Sequence, residues 1–327
     1  MYLDFYRLRE YPFSLASDPR YLYFSAAHKE AMAGMLYSLR ERKGVTLLLG
    51  EPGTGKTTLL AAVMEMLPGG VTAYALDTPL HATPAEALAA VLGGFGMPAQ
   101  GLGMSEMLAS LQTFLRARHE QGECVLLLID EAQDLNPLVL EQVRLLTNLE
   151  AGGQKLLQII LSGQPELGAH LRNANGRALH QRVAVRCELT PLNRAETQAY
   201  LVARLEHAGS AGMLFDEAAV ERIHAVSHGV PRMINVVADH CLLAGFATQL
   251  PRIGRGIVER VALQLDLAAI PGPQPAHAAA PVGPPAPVAP PAPAPVAAAA
   301  QAGQRPPVLQ RFASGWARWA GFSEGSK

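Results

Sequence analysis

The chain has 327 residues, 49% of them hydrophobic, with 27 Lys and Arg against 28 Asp and Glu and a formal net charge of −1. That length and apolar content allow two or three packed domains, and the balanced charge excludes a global field that would favour nucleic acid or an anionic membrane. Cys124, Cys187 and Cys241 are far apart in apolar segments and read as buried hydrophobes of a reducing compartment, not as ligands or bridges.

Residues 1–20 carry Asp4, Arg7, Arg9, Glu10 and Asp18 among their apolar positions, so no signal peptide is expected. The Tyr, Phe and Pro residues of this region are irregularly spaced. They predict packing against a core, not a base-stacking platform, with Tyr21 or Phe24 beside a bound adenine. No apolar run of about 18 residues free of charge and proline occurs, so no membrane-spanning helix is expected.

Residues 45–49 form a short apolar run of strand type, and 57–66 read as the opening of a helix. Between them Gly50-Glu51-Pro52-Gly53-Thr54-Gly55-Lys56-Thr57 fits G-x-x-x-x-G-K-T, the pattern of a phosphate-binding P-loop. In that strand-loop-helix setting the backbone N–H groups would wrap a triphosphate. Lys56 would reach its β- and γ-phosphates, the Thr57 hydroxyl would ligate Mg²⁺, and Thr58 completes the binding segment.

Further strand-type segments follow at 71–76, 125–129, 156–161 and 183–189, alternating with helical stretches, which predicts a largely parallel five-stranded α/β sheet flanked by helices. The third strand, Leu126-Leu127-Leu128-Ile129-Asp130-Glu131, ends in two carboxylates. Such a strand delivers its C-terminal end to the P-loop rim, where Asp130 would hold Mg²⁺ through water and Glu131 would polarise an attacking water. Beyond Pro191 the spacing predicts only helices, at 194–206, 216–227, 231–245 and 256–265, with Gly209 and Gly229 as stops. The ten histidines form no metal-type cluster.

Residues 271–307 are almost entirely Pro and Ala and read as a disordered, semi-rigid spacer. The tail, 308–327, places Phe312, Trp316 and Trp319 at helical spacing with Arg311 and Arg318 between them. It reads either as a frayed end or as a docking peptide for a partner or membrane surface. The expected organisation is an α/β domain over 1–190 including the N-terminal aromatic segment, a helical lid over 191–270, the spacer and the tail.

The P-loop, Ile129-Asp130-Glu131 and the later Gly229-Val230-Pro231-Arg232-Met233-Ile234-Asn235 together resemble an AAA+ ATPase. That resemblance implies ATP as the nucleotide and Arg232 as the sensor 2 arginine that reaches the γ-phosphate. It also implies a sensor 1 group that orients water, Gln164 first and Ser162 as the alternative. Arg182, or else Arg177, would be an arginine finger acting in trans, hence a homo-oligomer.

More specifically, Met1-Tyr2-Leu3-Asp4-Phe5-Tyr6-Arg7-Leu8-Arg9-Glu10-Tyr11-Pro12-Phe13 and Asp18-Pro19-Arg20-Tyr21-Leu22-Tyr23-Phe24-Ser25 resemble the opening of ExeA-type ATPases. The resemblance continues through Leu128-Ile129-Asp130-Glu131-Ala132-Gln133-Asp134-Leu135, Leu146-Thr147-Asn148-Leu149-Glu150 and Gly163-Gln164-Pro165-Glu166-Leu167, covering residues 1–265. It implies a cytoplasmic ATPase, peripheral at the inner membrane through its tail, that serves assembly proteins of a bacterial envelope system: type II secretion, a type IV pilus or exopolysaccharide export. The alternative is a DNA-handling ATPase of the initiator or transposition-regulator type, disfavoured by the net charge and by the lack of a helix-turn-helix pattern after the lid. Two departures stand out. The spacer and tail occupy the place of a transmembrane helix and peptidoglycan-binding part, and Thr78 stands where similar chains carry an Asn before proline, at the polar-switch position beside Glu131.

Overall fold

A computed structural model of the protein describes residues 1–16, 18–76, 83–173 and 176–267. Thr78, the spacer and the tail lie outside these residues. Five strands, β1 (Val45–Gly50), β2 (Val71–Leu76), β3 (Cys124–Ile129), β4 (Leu157–Gly163) and β5 (Val183–Leu189), form one sheet in the order β2-β3-β4-β1-β5. All neighbours run parallel. β1, β3 and β4 are near-continuous runs of Val, Leu and Ile because helices cover both faces of the sheet, leaving no solvent side to demand polar alternation.

The register sets the site. Leu49 of β1 faces Gly163 of β4, and Ile129 of β3 faces Leu161 of β4, so the chain leaves all three strands at one edge of the sheet. Gly50, Asp130 and Gln164 therefore emerge side by side, where α/β sheets bind ligands. A hairpin of two-residue strands, Glu150–Ala151 with Gln154–Lys155, precedes β4 and was not anticipated from the sequence. Its strands are too short for any periodicity to register.

After β5 the chain is helical: Arg194–His207, Glu217–Ser227, Pro231–Ala247 and Arg255–Gln264. Two of these start on strong caps. Asn193 and Glu196 form a reciprocal capping box, with Asn193 Oδ1 accepting from the Glu196 N–H at 2.9 Å, and Asp216 Oδ1 accepts from the Ala219 N–H at 2.7 Å. The turn into Pro231–Ala247 needs a glycine. Gly229 has φ +73°, its carbonyl accepts from the Leu192 N–H at 2.8 Å, and a Cβ there would meet the Leu192 carbonyl oxygen at 1.9 Å.

The N-terminal segment departs from expectation. Read with the α/β domain, it instead packs into the helical core: Tyr2, Tyr6, Leu8 and Phe13 are buried in one cluster with Leu201, Phe215, Ile234 and Cys241. Tyr6 Oη donates to the Leu250 carbonyl at 3.0 Å, Tyr2 Oη bonds Asp239, and the Phe13 ring meets Phe215 edge-on at 6.0 Å. Aromatic residues seek whichever apolar surface lies open. The sheet's faces are already covered by their own helices, while the helical unit leaves a side uncovered. The sheet core is separate, with Leu47, Leu127, Ile159 and Leu161 packed against Leu92 and Leu111. Among the described residues the cysteines are free, and no helix is long and apolar enough to cross a membrane.

Phe13 is 2% exposed, so Phe13→Ala should lower stability by about 3–4 kcal/mol through lost burial and the cavity left in the helical unit. Urea unfolding followed by circular dichroism checks this, and a change below about 1 kcal/mol would contradict the packing described.

Candidate functional site

The loop after β1 is built to leave donors free. Gly53 and Gly55 take φ +80° and +99°, conformations that side chains resist. Thr54 closes the turn by donating its N–H and its hydroxyl to the Glu51 carbonyl at 3.3 and 2.8 Å, with Pro52 stiffening the chain between them. The next helix, Lys56–Met66, begins on Gly55 with no side-chain cap, unlike the capped helices above. Its first-turn N–H groups, from Lys56, Thr57 and Thr58, are thus the orphan donors that an anion satisfies.

Lys56 is only 4% exposed, and its Nζ donates to the Gly50 and Glu51 carbonyls at 2.9 and 3.2 Å. Burial pushes this ammonium below the usual lysine range, against the opposing pull of Glu131, Asp130, Glu51 and Glu166.

At the end of β3 the Thr57 hydroxyl donates to Asp130 Oδ2 at 2.7 Å, and Asp130 Oδ1 accepts from the Glu131 N–H at 3.0 Å. Glu131 has φ +48°, a left-handed conformation uncommon outside glycine, as the chain leaves the strand for the short turn Ala132–Asp134. A hydroxyl and a carboxylate in contact at the mouth of the P-loop are the hard oxygen donors that suit Mg²⁺. Thr57 and Asp130 therefore fit that ion.

The lid comes down on the loop directly. The Arg232 N–H donates to the Gly53 carbonyl at 3.2 Å, and a Cβ on Gly53 would lie 2.6 Å from the Arg232 Cβ. Between loop and lid lies a cavity of about 170 Å³, lined by Gly53, Gly55, Lys56, Thr57, Thr58, Glu131 and Arg232 together with Tyr200, Arg204 and Asn235. The N-terminal segment closes one side of it through Ser14, Leu15 and Ala16. A smaller adjoining cavity, about 50 Å³, is lined by Tyr21, Tyr23, His28, Thr58, Leu192 and Pro231. Tyr21 thus lines the cavity that adjoins the P-loop, whereas Phe24 is buried and is not among the residues lining either cavity.

Three residues of this region had no assigned role in the sequence. Arg204 stacks over the Tyr21 and Tyr200 rings at 4.7 and 5.2 Å, donates to Tyr200 Oη at 3.0 Å and holds the Pro12 carbonyl at 3.2 Å. Tyr200 in turn donates to Asn235 Oδ1 at 2.8 Å. His28 is buried between the Ser25 hydroxyl, 2.7 Å from Nδ1, and the backbone of Thr54. No periodicity marks these side chains, because they meet across elements distant in the chain.

The remaining assignments are placed as follows. The Gln164 N–H donates to Gln133 Oε1 at 3.0 Å, at the start of helix Pro165–Arg172. Ser162 is fully buried within β4, and its hydroxyl finds no hydrogen-bond partner among the described residues. Arg182 precedes Val183, which pairs with Val45 at the far edge of the sheet, about 17 Å from the P-loop by strand rise. Its Nη1 donates to Thr147 Oγ1 at 3.1 Å. Arg177 is exposed at the start of the short helix Arg177–His180.

A P-loop after β1, the strand lying between β4 and β5 in the sheet, a strand-end carboxylate pair and a helical lid seated on the loop define a P-loop nucleotide-binding protein of the AAA+ class. Residues 39–171 match the AAA domain family. The chain has the AAA+ fold and is similar to AAA+ proteins of the ExeA type. General secretion pathway protein A of Aeromonas hydrophila is 40% identical to it over 267 residues, 81% of this chain and 48% of that protein. The chain thus spans about half the length of the curated relative it matches. Among solved structures, Cdc6p from Pyrobaculum aerophilum is similar at a TM-score of 0.61 and 18% identity, covering 80% of this chain and 74% of that one. The ORC2 protein of Aeropyrum pernix follows at 0.55 and 16%, covering 75% and 68%. At those identities the likeness is one of fold.

Burial pushes His28 down to about 4 from 6.5, so the folded chain resists a proton that the unfolded chain accepts. Stability is full above about pH 7 and declines as pH falls, by up to about 3 kcal/mol near pH 4. Urea unfolding of wild type and His28→Gln from pH 7.5 to 4.5 tests this: the wild type should lose more stability across that interval than the variant.

Proposed function

We propose that the chain hydrolyses ATP between P-loop and lid and that this cycle drives a bacterial secretion system at the cell envelope. The observation that carries the proposal is the contact of Thr57 with Asp130 in front of the P-loop, with Glu131 lining the same cavity as Lys56 and Arg232. Phosphoryl transfer to water needs positioning and charge compensation, not a covalent protein intermediate, and this set supplies both.

In the proposed reaction the triphosphate takes the free N–H groups of Lys56, Thr57 and Thr58, and Lys56 exchanges its two loop carbonyls for phosphate oxygens. Mg²⁺, when held by Thr57 and by Asp130 through water, would neutralise charge on the β- and γ-phosphates. Glu131 polarises the attacking water, with Gln164 at the end of β4 as the sensor 1 group. Arg232 bonds the γ-phosphate from the lid. Because its backbone also rests on Gly53, loss of that phosphate loosens lid from loop and turns hydrolysis into movement.

Arg182 stands too far from its own P-loop to reach it, so we assign it to the site of a neighbouring copy in a homo-oligomer. The secretion role draws on the name of the 40% identical relative, which favours secretion over pilus assembly or exopolysaccharide export. The tail, 308–327, is our candidate for contact with envelope or inner-membrane proteins. The DNA-handling alternative gains nothing from the Cdc6p and ORC2 structures, whose likeness is one of fold.

Lys56→Ala should abolish binding of a fluorescent ATP analogue, whereas Glu131→Gln should retain it and lower phosphate release by 100-fold or more, on the order expected for loss of a general base. Equal loss of affinity in both would make Glu131 a structural carboxylate.

If Arg182 works in trans, turnover per subunit should rise with protein concentration. Mixing Arg182→Ala with Glu131→Gln chains, each inactive alone, should restore measurable phosphate release. Undiminished, concentration-independent activity of Arg182→Ala would remove the finger assignment.

A further inference from the structure

We propose that Gln133 is a positioning residue for Glu131, clamping the carboxylate to the end of β4 so that hydrolysis depends on where that strand end stands. The proposal rests on the reading of Glu131 as the water-polarising group. Gln133 Nε2 donates to Glu131 Oε2 at 2.7 Å and, more weakly, to Asp134 Oδ2 at 3.3 Å. Its Oε1 accepts from the Gln164 N–H at 3.0 Å. The two ends of the amide cannot be exchanged. A backbone N–H only donates and a carboxylate only accepts, so the partners fix which end faces which.

The surroundings are shaped for this amide. Gly163, the last residue of β4, has no Cβ where one would come within 2.8 Å of Gln133 Oε1. The turn that carries Gln133 is anchored by Ala132, which is fully buried. Glu131 needs an external restraint. Its left-handed backbone turns it out of the strand, and its side chain is exposed. Among the described residues Gln133 is the side chain that donates to it.

With Oε2 held, the carboxylate loses rotational freedom and Oε1 remains to accept a proton from water. The clamp also gives β4 a route to the chemistry. Gly163 pairs with Leu49 beside the P-loop, so a shift of the β4 end moves Gln164, then Gln133, then the carboxylate.

The test compares full-length wild type, Gln133→Leu, Gln133→Glu and Glu131→Gln, measuring kcat, KM, affinity for a fluorescent ATP analogue and the melting temperature. Gln133→Leu should lower kcat about 10-fold, a part of what an aligned general base contributes, with KM and nucleotide affinity within twofold, since no phosphate contact changes. Gln133→Glu keeps an acceptor for the Gln164 N–H but sets a like charge against Glu131. It should therefore lower kcat at least as far as Gln133→Leu while KM, nucleotide affinity and melting temperature stay near wild type, a split that a purely structural role would not produce. An unchanged kcat in Gln133→Leu with hydrolysis lost in Glu131→Gln overturns the positioning role alone. A kcat lost together with affinity or melting temperature in both Gln133→Leu and Gln133→Glu also overturns it. Hydrolysis that survives Glu131→Gln overturns the role of Glu131 and, with it, this proposal.

Discussion

At Gly53 the backbone of the P-loop and the first turn of the lid helix approach so closely that there is no room for a side chain between them. The hydrogen bond from the Arg232 N–H to the Gly53 carbonyl and the left-handed φ of the glycine belong to the same contact. Everything else about the site is arranged around that approach. It sets the height of the cavity, brings Arg232 over the loop, and makes the loop conformation and the lid position one mechanical unit. A hinge elsewhere would leave the lid free to move without the phosphates registering it.

The second constraint is parallel register. Because β1, β3 and β4 end level, a buried lysine, a carboxylate pair and the start of a helix meet within one small volume although they come from distant parts of the chain. Burial disfavours the Lys56 cation, and Glu131, Asp130, Glu51 and Glu166 offset part of that cost. His28 works from behind. It stays neutral at ordinary pH and supports the Thr54 backbone without adding charge beneath a loop shaped for anions.

The helical unit depends on the N-terminus for part of its core. Tyr2, Tyr6, Leu8 and Phe13 complete its core, and the same segment continues through Ser14, Leu15 and Ala16 into the wall of the cavity. Arg204 joins the two, holding the Pro12 carbonyl while stacking on Tyr21. The lid, the N-terminal segment and the phosphate site are therefore joined by direct contacts. Such coupling is what the proposed cycle requires if hydrolysis is to move the lid.

The amino-acid sequence by itself determined the elements whose signals are local. The five apolar strands, the P-loop with its glycines and lysine, the carboxylates closing β3 and the capped helices after Pro191 all depend on spacing within a few residues, and chain-local physics specifies them. Tertiary structure alone decided three things. It carried the N-terminal aromatics to the helical core, because their composition favours burial but names no surface. It brought His28, Arg204 and Tyr200 to the nucleotide cavities, since contacts between distant elements leave no periodic trace. And it joined Gln133 to both Glu131 and Gln164, because the meeting of a turn with a strand end follows from sheet register, which only the packed sheet specifies.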